Sequence, residues 1–362
     1  MRRFTFIAFL LLFAAIAGIT LIQNSQVDTD VTAKATKVGV LLTGSRSDRS
    51  YCQAHYEALE AIKDELNLHI VYLENVPDSC YRYIESLVRD EGCKIIVGVS
   101  IFYGDDMRRV ATEHPDVYFF NTGGVISQKN FSSYFGRMYQ ARYLSGVVAG
   151  MKTKTGELGY VAAFSIPECI RGINAFTLGV RSVRPDAVVH VRYCGSWVED
   201  APAKEASRAL LDGYPIDVLA LHTNSLEPHR EADARGIWSI GYNLDNAAMF
   251  PNTYLTACVW RWEVYYRKQI RNCLQGKFHG SNDLIDMEDG IVGIPESAHI
   301  DPQTKAKLQA ARTRLKSRGF DVFYGPIRDN TGLLRVEAWE AMPDDEMFNN
   351  FDWYVEGVTI EG

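Results

Sequence analysis

The chain has 362 residues, is 47% hydrophobic and 23% charged, and carries a net charge of −7. This composition belongs to a globular protein of about two domains and excludes a disordered, collagen-like or multi-span membrane chain. A mildly acidic chain without a basic tract is also ill suited to nucleic acid, whose binding depends on neutralising phosphates.

Arg2 and Arg3 precede an uncharged apolar run from Phe4 to Ile22. A short positive region followed by an apolar core is an export signal. Ala15-Ile16-Ala17 offers a cleavage site, yet the run is nearly long enough to span a bilayer, so cleavage and retention as an anchor both stay open. The polar stretch from Gln23 to Lys37 reads as a tether. The protein is therefore expected outside the cytoplasm, periplasmic or held at the outer face of the cytoplasmic membrane. The seven cysteines, Cys52, Cys80, Cys93, Cys169, Cys194, Cys258 and Cys273, include no C-x-x-C pair. Buried free thiols are expected, with no metal and no cofactor.

The pattern then alternates. Strands are expected at 38–42, 69–73, 95–99 and 117–121, with helices at 51–65, 81–89 and 105–113 between them. A long helix follows over 139–152, with Gly146 and Gly150 spaced for close packing on a neighbour. The rhythm restarts with strands at 158–163, 188–193, 218–221, 238–241 and 255–259. Helices are expected at 169–183, 203–211, 228–234, 262–274 and 304–317, and strands joined by turns from Phe320 onward. Such alternation means βαβ units and parallel sheets.

Two such halves joined through a hinge make an α/β, two-domain periplasmic binding protein of type I, with a ligand in the interdomain cleft. The expected division is 1–36 as signal or anchor and tether; 37–155 with about 255–285 as the first domain; and 156–254 with part of 286–362 as the second. Residues 300–362 form an extension packed on both. Ligands of open parallel sheets sit at the carboxyl ends of the strands. The residues there are Thr43 to Tyr51, Ser100 to Asp105, Thr122 to Gly124, Phe164 to Pro167, Gly195 to Trp197, His222 to Ser225, Gly241 to Asp245 and Val259 to Arg261. They are rich in hydroxyls, amides, acids and rings and poor in lysine, which suits a planar, uncharged ligand.

Several long blocks carry a resemblance. They are Tyr134 to Leu144, Gly159 to Phe164 running into Ile166-Pro167-Glu168, Arg171 to Phe176, and Ile240-Gly241-Tyr242-Asn243. Through them the chain, from about residue 37 onward, resembles the basic membrane protein family of ABC-transporter substrate-binding proteins, the purine-nucleoside-receptor-like group. The resemblance implies capture of a purine base or nucleoside and delivery to an ABC permease in the membrane, by a monomer and without catalysis.

It also implies site residues. Asp48 and the triplet Tyr51-Cys52-Gln53 match an acid and an aromatic-Asn-Gln run in the family's first loop; Cys52 replaces the amide. Trp197 matches a ring that stacks on the purine, and Asp245 an acid that contacts the ligand. Trp260 stands where nucleoside-binding relatives carry a lysine facing the sugar, which favours a free base such as adenine. His222, Asn224, Asn243, Ser100, Phe102, Tyr103 and Phe164 complete the candidate set. Asp48 could instead cap a helix, and Asp245 could be a turn residue. Arg137 and Arg142 are expected in structural ion pairs.

Two rivals are a membrane-anchored sensor of the same fold and, more distantly, a nucleoside hydrolase. The sequence lacks a G-x-S-x-G elbow, H-E-x-x-H and a phosphate-binding G-x-x-x-x-G-K-[ST] loop.

Overall fold

The computed structural model describes residues 34–317 and 320–362. The apolar run expected to direct export lies outside them. Among the described residues, no helix is long and apolar enough to cross a membrane.

The chain runs β1 (Thr36–Leu41), α1 (Tyr51–Lys63), β2 (Leu68–Leu73), α2 (Tyr81–Arg89), β3 (Ile95–Gly98), α3 (Gly104–Glu113), β4 (Tyr118–Thr122) and β5 (Phe131–Gly136). It then crosses through Arg137 into α4 (Met138–Lys152), β6 (Glu157–Ala162), α5 (Pro167–Arg181), β7 (Val188–Tyr193), α6 (Asp200–Gly213), β8 (Val218–His222), α7 (Glu227–Ala234), β9 (Trp238–Asn243) and β10 (Tyr254–Trp260). It returns through Arg261 to α8 (Trp262–Leu274) and β11 (Asn282–Ile285), and crosses again to β12 (Val292–Gly293) and α9 (Pro302–Leu315). The remainder holds β13 (Ile327–Arg328), β14 (Leu334–Val336), α10 (Asp344–Asn349) and β15 (Val358–Ile360).

The strands form a six-stranded sheet, β11-β5-β4-β3-β1-β2, and a seven-stranded sheet, β12-β10-β9-β8-β6-β7-β15. Within these two sheets the ladders are parallel except for β12 against β10, and β13 and β14 make a separate antiparallel pair. Both faces of each sheet are covered, as parallel sheets require. Val38, Val40, Ile95 and Val97 share one core with the α1 residues Ala58, Leu59 and Ile62 and with Tyr266 and Ile270 of α8. Leu41, Ile96 and Phe119 point the other way, into a core with Ile84 and Leu87 of α2 and Met107 and Val110 of α3. This alternation explains why these strands read as unbroken apolar runs.

Residues 255–260 are expected in the first domain, but β10 pairs with β9 in the second sheet, and the chain returns only at Arg261. A strand buried on both faces carries no mark of which sheet it joins. The sequence pattern also passes over β5, β11 and β12, and it reads α10 as turn or strand.

The second lobe is organised by α4 lying on α5. A Cβ on Gly146 would stand 2.1 Å from the Phe176 carbonyl oxygen, and one on Gly150 2.6 Å from that of Val180. Gly179 answers from α5, where a Cβ would stand 2.0 Å from the Tyr143 carbonyl oxygen. The expected close packing is thus made by backbone against backbone. Gly146→Ala should lower unfolding free energy by about 1–3 kcal/mol in urea titration, because no flexible side chain can yield. An unchanged midpoint would contradict this contact.

Candidate functional site: the cleft between the two sheets

In each sheet the strand order reverses once, at β1/β3 and at β6/β8. A crevice opens at such a switch point, outside the carboxyl ends of the strands. The loops there are 42–50 and 99–103 in the first lobe and 163–166 and 223–226 in the second.

The two lobes touch at this crevice. Asn243 ends β9 with φ +70, a left-handed conformation that asparagine tolerates better than most residues. Its amide donates to Ser50 Oγ (2.8 Å) across the cleft and to Asn224 Oδ1 (2.9 Å), and its oxygen accepts from Trp260 Nε1 (3.0 Å). Asn246 Nδ2 donates to the Arg49 carbonyl at 3.3 Å, and Arg49 Nη1 lies 3.2 Å from Met249 Sδ. Asn243 is therefore a clasp between the lobes, fully buried and fully bonded.

Several expected contacts are placed elsewhere. Asp48 accepts from the backbone N–H groups of Ser50 (2.8 Å), Cys52 (2.9 Å) and Gln53 (3.0 Å), so both its oxygens cap α1. Cys52 is buried against Thr43 Oγ1 at 3.5 Å, and burial pushes its thiol up to about 11. Tyr103 is wholly buried and donates to the Val76 carbonyl at 2.6 Å, which makes it core. Ser100 Oγ accepts from Phe102 N (3.2 Å) and shapes a 3-10 turn that leaves Phe102 69% exposed on the rim. Trp260 is buried, stacked on Trp262 at 4.2 Å, so its flat face is covered. Asp245 is exposed, and its Oδ1 accepts from Ala247 N at 3.1 Å, the bond of a turn residue.

What faces the cleft is a smaller set. On the second lobe Phe164, Trp197, His222 and Tyr242 form a chain of edge-to-face rings, with centroids 6.0, 5.9 and 4.6 Å apart. The Trp197 carbonyl is fixed by Asn224 N (2.7 Å) and Thr223 Oγ1 (2.9 Å). Its indole N–H and the Asn224 Nδ2 have no hydrogen-bond partner among the described residues. From the first lobe comes Tyr51, edge-on to Trp262 and close enough to Tyr242 and Glu168 to feel their charge. Its phenol is pushed well up, mainly by burial, and its hydroxyl also has no partner among the described residues.

Glu168 is the residue that the strand-end reading stops one position short of. Pro167 opens α5 and Glu168 follows in its first turn, where the helix dipole favours an anion. The carboxylate is set deep in the protein, yet 34% of its side chain is accessible, as expected for a group facing the cleft. Burial opposes its ionisation, but His222, Arg171 and Arg142 outweigh burial and hold it below the ordinary glutamate range. Tyr242 donates to it at 3.4 Å.

His222 lies beneath Glu168 and is buried. Its Nδ1 is 3.1 Å from the Tyr160 hydroxyl. With that hydroxyl donating, the ring proton sits on Nε2, which lies 3.9 Å from Glu168 Oε1 and has no hydrogen-bond partner. Burial, then the field of Arg142, push the imidazole down to about 4 against the opposing pull of Glu168. His222 is thus a buried, neutral ring on the cleft floor beneath Glu168.

Of the two arginines expected in ion pairs, Arg137 fits, with Asp344 at 2.7 Å and Asp286 at 3.1 Å. Arg142 does not. It is wholly buried, donates to the Leu221 carbonyl at 2.8 Å and lies over the rings of Tyr242 (4.3 Å) and Tyr160 (5.6 Å). All seven cysteines are free thiols, six of them buried. Among the described residues, the trio Glu85, Glu113 and His114 has metal-ligand types in reach of one another, but Arg89, Arg109 and Tyr81 already engage its carboxylates.

Comparison with known proteins decides the class. The family model of PnrA-like ABC-transporter substrate-binding proteins matches residues 35–322. The chain belongs to this family. Its members bind substrates and are not enzymes, and they work outside the cytoplasm. The binding protein is 33% identical over 328 residues to a purine-binding protein of Brucella abortus (strain 2308), covering 89% of this chain and 92% of that one. It is 31% identical over 317 residues to a Haloferax volcanii protein named as an ABC-transporter glucose-binding protein, covering 87% and 78%. A solved solute-binding protein of an ABC transporter from Conexibacter woesei superposes with a TM-score of 0.69 at 20% identity, over 79% of this chain and 98% of that one. At that identity the likeness shows the periplasmic-binding-protein fold alone.

Burial also pushes His229 down to about 3. Like His222, it is neutral at pH 7 when folded, whereas unfolded imidazoles titrate near 6.5. Between pH 6.5 and about 4 the unfolded chain binds more protons, so stability falls as pH drops through that window. Urea unfolding should lose at least about 3 kcal/mol from pH 7 to pH 4.5. The slope should flatten in His222→Gln; equal slopes in the two proteins would contradict a neutral, buried His222.

Proposed function

We propose that the protein captures a purine base, adenine before other purines, or a purine nucleoside, and hands it to an ABC permease. The N-terminal apolar run serves its export or anchorage. The two lobes close on the ligand, which bridges them and so favours the closed state.

The observation that carries this reading is the part-exposed Glu168 carboxylate at the cleft, on the same His222 ring that Trp197 packs against. A flat, uncharged ring with N–H donors meets both needs: a ring face to cover and an ionised acceptor to satisfy. The Tyr51 hydroxyl, Trp197 N–H and Asn224 Nδ2, without partners among the described residues, supply further bonds to ring nitrogens. Trp260 supports a free base over a nucleoside. It puts a neutral, sealed indole where the resemblance expects a cation toward the sugar, and its N–H is already bonded to Asn243. It acts by removing that cation, since its ring face is not offered to the ligand.

Isothermal titration of the purified protein, unfolded and refolded to strip bound ligand, tests the reading. Adenine should bind more tightly than adenosine, guanosine or hypoxanthine. Trp197→Ala should weaken adenine binding by about 1–3 kcal/mol, the range for base stacking on an aromatic ring. Glu168→Gln should cost about 1.5–3 kcal/mol, the worth of a hydrogen bond to a charged group. Binding of glucose with no purine bound would overturn the proposal in favour of the ligand named for the Haloferax relative. Tight adenosine binding would discard the free-base preference alone.

A further inference from the structure

Residues 323–362 lie beyond the span that the family model matches, and they are fixed along the second lobe. Asn174 of α5 brackets this extension, donating to the Trp353 carbonyl at 2.8 Å and accepting from Val355 N at 3.0 Å. Arg171 donates to the Met347 carbonyl at 2.9 Å, and β15 adds to the edge of β7 in parallel register, Val358 opposite Val189. Phe351 and Trp353 are buried in the main core. This anchoring leaves two ends that reach functional places.

One end reaches the hinge. Arg137 is the residue at which the chain first changes lobes, and its guanidinium is largely shielded from solvent. Both its terminal nitrogens donate to Asp344 of α10, each at 2.7 Å. Its Nε pairs with Asp286, which follows β11 at another crossover, at 3.1 Å. Gln140 binds the same crossover, donating to Asp286 Oδ1 at 3.2 Å and accepting from Met287 N at 2.8 Å. Asp286, Arg137 and Asp344 thus form one ionic bridge from the exit of the first sheet to a helix fixed on the second lobe. The other end reaches the rim: the Tyr354 hydroxyl lies 3.2 Å from Ser165 Oγ and 2.7 Å from the Tyr193 hydroxyl, bracing the loop between Phe164 and Glu168.

We propose that this extension is a hinge strap that sets the balance between open and closed lobes, with Asp344 and Arg137 as its positioning residues. Opening rotates the crossover backbone at Arg137 and Asp286 relative to the second lobe. The bridge to Asp344, made in the closed arrangement that Asn243 and Ser50 define, resists that rotation and slows release of whatever the cleft holds.

The test compares the full protein with Asp344→Asn, Asp344→Glu and Arg137→Gln. Small-angle scattering without ligand reads the lobe opening, and stopped-flow displacement of adenine reads release. Asp344→Asn should enlarge the ligand-free radius of gyration. It should also raise the adenine dissociation rate about three- to tenfold, the scale of a well-formed bidentate ion pair, with the association rate changed less than about twofold. Asp344→Glu should restore the wild-type values in part. Wild-type scattering and release in both Asp344→Asn and Arg137→Gln would overturn the strap. If adenine does not bind, the purine reading fails separately, and the scattering alone decides the strap.

Discussion

A guanidinium without a carboxylate in hydrogen-bond reach organises this protein. Arg142 is wholly buried in α4, where it donates to the Leu221 carbonyl, lies over the faces of Tyr242 and Tyr160 and reaches the Cys258 thiol. A buried charge is tolerated only when the surroundings answer it. The answer here is spread over three strand ends: the carbonyl before His222 on β8, the ring of Tyr160 on β6 and the ring of Tyr242 on β9. Burial, then the same charge, drive His222 toward its neutral form, and the charge adds to His222 and Arg171 in drawing Glu168 toward its ionised form. The polarity of the cleft floor therefore depends on burial, on Arg171 and on this one residue of the helix that links the lobes.

That helix is positioned by the least specific chemistry in the chain. Gly146, Gly150 and Gly179 remove side chains so that α4 and α5 meet at the backbone, and from these helices Arg142 reaches Leu221 and Tyr242 while Glu168 reaches His222 and Tyr242. Closure is a separate matter. It rests on Asn243, whose left-handed backbone turns its amide toward Ser50 while its oxygen holds Trp260. A residue expected to read the ligand's edge is bonded to the opposite lobe.

Much of this was legible beforehand. Element order follows from apolar runs separated by helical periodicity, and strand ends in parallel sheets mark the crevice. Phe164, Trp197 and Tyr51 are expected at the crevice by the same rule. Other features are invisible to pattern. β10 carries no sign of the sheet it joins, because a strand buried on both faces looks the same in either. Asp48, Tyr103 and Trp260 sit at suitable positions but are consumed by a helix cap, a core hydrogen bond and a ring stack, and only coordinates distinguish a spent group from a free one. Glu168 lies in the first helical turn, one step beyond the strand-end loop, where an acid reads as ordinary helix-dipole chemistry. Arg142 reads as an ion-pairing residue because nothing local reveals that its partners are rings.

The central claim is that the cleft holds a flat base against Trp197 with an N–H directed at Glu168. A crystal structure of the protein saturated with adenine tests it most directly. The account predicts the base stacked on the Trp197 indole, with a ring or exocyclic nitrogen within about 3.2 Å of a Glu168 oxygen and the Ser50–Asn243 bond intact. Adenine seated away from both residues, or absent from the cleft while the lobes stay closed, would contradict it.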